Sequence, residues 1–436
     1  MARMILKSEY ERLAERINRF PQGAPPTPLL FEILGILFTK EEASLAAQLP
    51  VRPFSVERAA AIWKTDSAAA QKHLDGLAGK ALVVDLEING KRVYALPPPM
   101  AGFFEFSMMR TRSDIDQKAL GELFYRYINV EEDFARELFA RGETKMVRVF
   151  INESVLPEDP AVEVLDYERA SETIKTASHR GIGTCYCRHK MRLNGRACPA
   201  PLDIYMTFGG TAASLIRNGF AREVDVGEGL DHLARARDCN LVQCAENVRH
   251  DAAFICNCCG CCCEALIAAR RFAVLRPIST TNYLPRIERD GCTGCGACVD
   301  VCPVEAMALV SAHDPLKPKA RTALPNEEIC LGCGVCARVC PSRSISLQYR
   351  KQRVITPATT AHRTVLMAIE RGKLQDLIFD NRALFSHRAL GAVLGAILRL
   401  PPVKQALAGM QLKSRYLERL LDRYNNQKNR GVTGGP

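Results

Sequence analysis

Short apolar segments at helical spacing alternate with polar ones along the N-terminal part of the chain. This pattern predicts a helix of mixed charge over residues 1–20, followed by a stiff proline linker and four short helices. Beyond them, Val83–Leu86 and Arg92–Leu96 flank Asn89-Gly90, which predicts two strands joined by a type I′ turn. The four helices are expected at Leu29–Phe38, at Lys40–Leu49, at Ser55–Trp63 and from Asp66 or Ser67 to Gly79.

Helices followed by a hairpin, with Leu74 and Leu77 at helical spacing in the last helix, resemble a winged-helix domain over residues 25–100. The resemblance implies that this helix could enter a DNA major groove. Its exposed face offers Gln71 and Lys72 but also Asp66 and Asp75. The hairpin adds Lys91 and Arg92, so the basic footprint is thin. Nucleic acid is therefore an alternative partner, behind a role in binding proteins or supporting the fold.

The middle of the chain is predicted to combine helices and strands. A strand is expected at Val147–Ile151, with aromatic-rich helical sequence before it. The later helices are expected at Tyr167–Ala177, Met206–Asn218, Gly229–Arg237 and Glu264–Arg271.

A cysteine phrase occurs twice in the last third of the sequence. Cys-x2-Cys-x2-Cys-x3-Cys-Pro begins at Cys292 and again at Cys330, and each cysteine has its counterpart 38 positions later. Three closely spaced thiolates on one glycine-rich loop can bind three irons of a cubane, while the fourth cysteine serves the other cluster. The predicted ligands are Cys292, Cys295, Cys298 and Cys340 for one [4Fe-4S] cluster, and Cys330, Cys333, Cys336 and Cys302 for the other.

This run resembles the bacterial eight-iron ferredoxin domain. The resemblance covers residues 286–350 and implies a small pseudo-twofold fold that holds two [4Fe-4S] clusters. A pair of zinc sites would more often show separated Cys-x2-Cys pairs.

Eleven further cysteines lie upstream of the repeat. We expect an additional metal or redox site from Cys185, Cys187 and Cys198 with one of Cys256, Cys258 or Cys259. A third iron–sulfur cluster is favoured, with a structural zinc site and a thiol–disulfide or persulfide relay as alternatives.

The phrases Cys-x-Cys-Arg at Cys185 and Ile-Cys-Asn-Cys-Cys-Gly-Cys-Cys-Cys at Ile255 resemble a set of largely uncharacterised ferredoxin-type proteins. That resemblance implies a cofactor rather than a substrate. In those proteins a further cysteine often stands at the position of Tyr205 and a histidine at that of Gln243. These departures leave one ligand open to Cys239, Cys244 or the cysteine run.

The amino-acid composition indicates the class of protein and its cellular compartment. The chain has 436 residues, 47% apolar and 25% charged, which is ordinary for a soluble globular protein of two to four domains. Its 19 cysteines, with no apolar signal segment at residues 1–10, favour reduced, metal-loaded thiols and a cytoplasmic location. No segment has the length of a transmembrane helix. The net charge of +11 is concentrated in the C-terminal region, whose basic residues could bind an acidic partner or form a solvated surface.

The sequence thus predicts an α+β multidomain electron-transfer protein that passes single electrons to redox partner proteins, in which no substrate site is evident. A redox-sensing winged-helix regulator is the alternative, and an enzyme using the extra cysteines is a third hypothesis. The predicted domains are a winged helix (25–100), a mainly helical segment (101–180), an α/β cysteine-rich domain (181–285), the ferredoxin domain (286–350) and a basic helical tail (351–436).

Overall fold

Helices and strands are assigned in a computed structural model that describes residues 7–156, 164–316, 318–380 and 385–399. The helices are α1 Glu9–Ile17, α2 Pro28–Leu37, α3 Lys40–Ala46, α4 Val56–Trp63, α5 Ser67–Gly79, α6 Phe104–Phe106, α7 Gln117–Phe124, α8 Glu132–Ala135, α9 Ala170–Thr176, α10 Tyr186–Leu193, α11 Gly209–Arg217, α12 Val226–Asp238, α13 Glu264–Arg271, α14 Ala297–Asp300, α15 Val335–Arg338, α16 Thr360–Glu370, α17 Leu374–Ile378 and α18 Phe385–Arg399. The strands are β1 Val84–Ile88, β2 Lys91–Ala95, β3 Val147–Val149, β4 Arg180–Thr184, β5 Asp203–Phe208, β6 Arg222–Glu223, β7 Val242–Glu246, β8 Phe254–Cys258, β9 Tyr283–Ile287, β10 Met307–Ser311, β11 Arg321–Pro325 and β12 Ile345–Tyr349.

Side-chain caps fix where the N-terminal helices begin. The side chains of Ser8, Thr27, Thr39, Ser55 and Asp66 each accept a hydrogen bond from a backbone N–H in the first turn of α1 to α5. These bonds satisfy donors that a helix cannot pair internally. The four helices predicted between the proline linker and the hairpin are confirmed, and their starts follow from these caps.

The predicted hairpin is also confirmed. β1 and β2 pair antiparallel from Val84–Ala95 to Ile88–Lys91. Asn89 and Gly90 at the turn both have positive φ, 53° and 70°, as a type I′ turn requires.

A six-stranded antiparallel sheet forms the centre of the molecule, in the order β3-β7-β8-β5-β4-β6. The helix predicted from Met206 to Asn218 is wrong in its first part, because β5 runs through Phe208 and α11 begins only at Gly209. All residues of β5 after Asp203 are buried, so the strand lacks the alternation that would have revealed it.

The hairpin is fastened to this central sheet through a buried carboxylate. Asp85 on β1 is fully buried and accepts hydrogen bonds from Ser214 Oγ at 2.6 Å, Asn218 Nδ2 at 3.0 Å and Arg217 Nε at 3.0 Å. Arg92 Nη2 donates to Asp85 Oδ2 at 2.9 Å, the oxygen that also accepts from Arg217. The hairpin therefore packs against α11.

The C-terminal third begins with two small antiparallel sheets, β9 with β12 and β10 with β11. Short helices α14 and α15 follow Gly296 and Gly334, which have φ of 87° and 81°. Only glycine takes up this conformation without strain.

The predicted helical tail is described only in part. Helices α16 to α18 cover the segment that was expected to be helical up to residue 399, whereas the predicted helix Val403–Asn425 lies outside the described residues. In the part of the chain that the structure describes, we find no helix with both the length and the apolar character that crossing a bilayer requires.

Candidate metal centres

The cysteines of the first phrase gather with the last cysteine of the second. Burial raises the pKa of the Cys298 thiol, and the neighbouring sulfurs of Cys292, Cys295 and Cys340 raise it further. Burial also acts on Cys292, but hydrogen bonds from the backbone N–H groups of Ala323 and Gly294 outweigh it and lower the pKa of that thiol. We refer to these four cysteines as the first ferredoxin group.

The cysteines of the second phrase gather with Cys302, the last cysteine of the first. Burial raises the pKa of Cys333 well above its usual range and that of Cys336 to about 12, and Cys330 and Cys302 add to both shifts. These four cysteines form the second ferredoxin group. Cys298 of the first group is also a neighbour of Cys336, so the two groups adjoin.

The loops that carry these cysteines approach the adjacent strands closely. A Cβ at Gly294 would lie 2.5 Å from the Arg321 carbonyl oxygen, and one at Gly332 would overlap the carbonyl oxygen of Tyr283. Backbone N–H groups point at sulfur, as in the 3.1 Å hydrogen bond from Ala306 to Cys302 Sγ. Loops of backbone that donate to clustered thiols fit the requirements of iron–sulfur clusters.

The two groups differ in their access to solvent. Cys295 of the first group is exposed, whereas Cys330 of the second is buried. The second group also contacts the central domain, because the Asn152 N–H donates to the Cys333 carbonyl oxygen at 2.9 Å. Of the two groups, the first has a cysteine exposed to solvent, whereas the second has none exposed and lies against the central domain.

Four of the upstream cysteines form a compact tetrathiol group. The Sγ atoms of Cys198, Cys259, Cys261 and Cys262 all lie within 4.8 Å of one another. The distances are 3.6 Å from Cys198 to Cys259, 3.7 Å from Cys261 to Cys262 and 3.9 Å from Cys262 to Cys198.

A buried arginine supports this group. Arg188 is 1% exposed, and its Nη2 lies 3.4 Å from Cys259 Sγ. Its Nη1 donates to the Pro201 carbonyl oxygen at 2.6 Å, which holds the guanidinium beside the loop that carries Cys198. A fixed positive charge in this position favours thiolate over thiol.

The remaining upstream thiols, apart from Cys239, line a cavity of about 50 Å³ that we call the thiol cavity. Cys244 and Cys256 are opposite each other in the β7–β8 register, and Cys258 follows two residues later. Tyr205 also lines the cavity and donates to Glu105 Oε2 at 3.1 Å. The cysteines of this cavity are Cys185, Cys187, Cys244, Cys256, Cys258 and Cys263, with Cys259 and Cys262 on its border.

Several of these thiols influence the pKa values of their neighbours. The pKa of Cys258 responds to Cys244, Cys256 and Cys263, and that of Cys187 responds to Cys263. Burial, the largest cause of both shifts, raises the pKa of Cys185 to about 12 and that of Cys187 well above its usual range. The thiol cavity is thus lined by interacting thiols. In the described residues, only the tetrathiol group brings three or more potential ligands within single-ion spacing.

The structure distributes the six cysteines predicted for a third cluster over two places. Cys185, Cys187, Cys256 and Cys258 line the thiol cavity, whereas Cys198 and Cys259 belong to the tetrathiol group. Sequence reasoning did not place Cys261 and Cys262 with Cys198, and no spacing signal indicates that pairing. Of the positions left open, Cys239 is exposed at the end of α12, whereas Cys244 lines the cavity.

Comparison with known proteins supports one part of this arrangement. Residues 286–354 match the family model of the 4Fe-4S dicluster domain. No curated protein matches the chain. The chain therefore contains an iron–sulfur, ferredoxin-type domain, and together with the upstream cysteine cluster this domain points to iron–sulfur electron transfer.

Proposed function

We propose that this protein is a ferredoxin-type electron carrier with a [4Fe-4S] cluster in each ferredoxin group. The observation that carries the proposal is the exchange of the last cysteines, which puts Cys340 beside the first trio and Cys302 beside the second. Such an exchange is typical of two-cluster ferredoxins. Bound clusters supply one-electron redox chemistry at potentials set by burial and by hydrogen bonds to sulfur.

The different exposure of the two groups supports a direction for the electron path. A redox partner protein would dock where Cys295 reaches the surface, and the buried second group would relay electrons inward. The path could continue to the upstream cysteines, because Gly260 lies close to the second group. A Cβ at Gly260 would lie 2.5 Å from the carbonyl oxygen of Pro303, the residue after Cys302. The upstream cysteine loop thus touches the loop of the second group.

A third iron–sulfur cluster belongs to this proposal, with its ligands among the cysteines of the thiol cavity. The support is chemical, since six thiols from three separate chain segments converge on one enclosed space beside the second group. Tyr205 lines the same cavity where similar proteins often carry a cysteine, which is consistent with a cluster at this place. The thiol usage further supports a reducing, cytoplasmic location.

The winged-helix interpretation of residues 25–100 is retained only as a structural or docking domain. One of its candidate DNA contacts is already engaged within the molecule, because Arg92 pairs with Asp75 at 3.1 Å and with Asp85 at 2.9 Å. Gln71 on α5 donates to Asp75 at 2.8 Å. The arginine of the hairpin is therefore held by carboxylates of its own domain and is not available to phosphate.

Metal quantification of the full chain purified without oxygen tests the proposal. About eight irons and eight sulfides per chain are expected from the ferredoxin groups, and about twelve of each if the thiol cavity also holds a cubane. Cys295→Ser and Cys333→Ser should each disturb one of two reducible signals in low-temperature paramagnetic resonance, while Cys239→Ser at the exposed end of α12 serves as control. A preparation without iron would refute the proposed function.

A further inference from the structure

We propose that the tetrathiol group, Cys198 with Cys259, Cys261 and Cys262, binds a single tetrahedral zinc ion that is separate from every iron–sulfur cluster. This inference does not depend on the electron-transfer function. It concerns a second kind of metal in the same chain, with a structural rather than a redox role.

Distances carry the argument. Zinc–thiolate bonds of about 2.3 Å place the sulfurs of a tetrahedral site about 3.8 Å apart. Three of the six Sγ–Sγ distances in the tetrathiol group are 3.6, 3.7 and 3.9 Å, and all six lie within 4.8 Å. In a cubane each thiolate binds a different iron at its own corner, so the four sulfurs stand farther apart than around one ion. The spacing therefore fits one ion.

The donor set and its surroundings fit zinc as well. Four thiolates form a closed structural site, with no position left for water or substrate. With Zn²⁺ they carry two negative charges, one of which the buried guanidinium of Arg188 offsets at 3.4 Å from Cys259. Cys261 is exposed, so the ion has a path from solvent.

The position of the group explains what the ion would stabilise. Cys198 lies between α10 and β5, whereas the other three cysteines lie in the turn between β8 and α13. The residues on either side of these three cysteines, Cys258 at the end of β8 and Cys263 before α13, line the thiol cavity. An ion bound across these segments would fix the wall of the cavity and keep four thiols out of disulfide exchange with the cluster ligands.

The test is elemental analysis of the full chain and of the double variant Cys261→Ser/Cys262→Ser, with Cys239→Ser as the matched control. The wild type and the control should each retain about one zinc per chain after treatment with a weak chelator. The zinc content of the double variant should be lower by about ten-fold or more. The iron content of the double variant should stay unchanged.

Three results would overturn the inference: no zinc in the wild type, a single iron in this site, or loss of about four irons in the double variant. If the double variant does not fold, X-ray absorption at the zinc edge of the wild type decides instead. Four sulfurs at about 2.3 Å support the site, and nitrogen or oxygen ligands reject it. Zinc retained in a chain without iron would remove the proposed function but leave this inference standing.

Discussion

Lys190 and Glu264 form an ion pair in the interior of the molecule, with Nζ 2.6 Å from Oε1 and both side chains at most 1% exposed. Asn129 donates to the other carboxylate oxygen at 2.5 Å, and the Tyr186 hydroxyl donates to Oε1 at 3.1 Å. The pair joins α10 to α13. Since α10 carries Cys187 and α13 follows Cys263, this contact sets the distance between two thiols of the cavity.

Replacing one partner should leave an uncompensated charge in the interior. We expect Lys190→Met to lower the free energy of unfolding by about 3–5 kcal/mol. Denaturant titration under anaerobic conditions measures the change. Lys175→Met is the matched control, because Lys175 is half exposed, pairs with Glu172 at 2.7 Å and should change the free energy of unfolding far less. Equal losses in both variants would contradict the interpretation.

Glu105 should make stability depend on pH. Burial raises the pKa of this carboxyl to about 7 from 4.5, although the hydrogen bond from Tyr205 opposes the shift. The folded state therefore holds the proton more tightly than the unfolded state, so the stabilisation present below 4.5 is lost as the pH rises towards about 7. At about 1.4 kcal/mol per pH unit, the loss approaches ~3 kcal/mol.

Glu105→Gln should flatten this dependence, because the amide does not titrate. Unfolding titrations from about pH 5 to about pH 8 provide the comparison. Glu122→Gln, which changes an exposed carboxylate on α7, should leave the wild-type slope intact. A Glu105→Gln profile as steep as that of the wild type would show that another group titrates.

Alanine substitutions at Gly332 and Gly372 allow the packing of the second ferredoxin loop to be tested against a matched control. Both have left-handed φ, 70° and 65°, but a Cβ at Gly372 meets nothing within 4 Å, whereas one at Gly332 overlaps the Tyr283 carbonyl oxygen. Gly372→Ala should cost only the strain of about 1–2 kcal/mol. Gly332→Ala should also displace the loop of Cys330 and Cys333, with a loss of about four of the eight ferredoxin irons. Iron counts of the two variants separate strain from overlap.

Asp85 should hold the hairpin on the central sheet. Asp85→Ala removes charge-assisted hydrogen bonds from Arg92 and Arg217, and we expect a loss of about 2–3 kcal/mol. Limited proteolysis should then cut the β1–β2 segment faster. Asp203→Ala, which breaks an exposed pair with Arg235, should change neither quantity appreciably. Unchanged proteolysis in Asp85→Ala would mean that apolar packing alone attaches the hairpin.

The chain should not be retained on DNA in a salt-dependent manner. Arg92 is neutralised by Asp75 and Asp85, so the hairpin lacks a free arginine that could displace counterions from phosphate. A gel-shift series at decreasing salt checks this expectation. Retention at low salt that disappears on Lys72→Ala would instead favour the regulator hypothesis.

Local patterns predicted most of the N-terminal elements and the ferredoxin domain, because caps, turn residues and ligand spacing act over a few positions. The hairpin at Asn89-Gly90 is an example. β5 was missed because burial on both faces removes its alternation. The division of the upstream cysteines was also out of reach, since it depends on Cys198 meeting the β8–α13 turn 61 residues away from it at Cys259.

Cys258 and Cys259 are neighbours in the chain, but one faces the thiol cavity and the other completes the tetrathiol group. The number of residues in this turn therefore determines which cysteines face the thiol cavity and which belong to the tetrathiol group. Inserting or deleting one residue would move the cysteines that follow to the other site, even if every cysteine were retained. We expect homologous chains to vary in the surrounding loops well before they vary in the number of residues between Cys256 and Cys263.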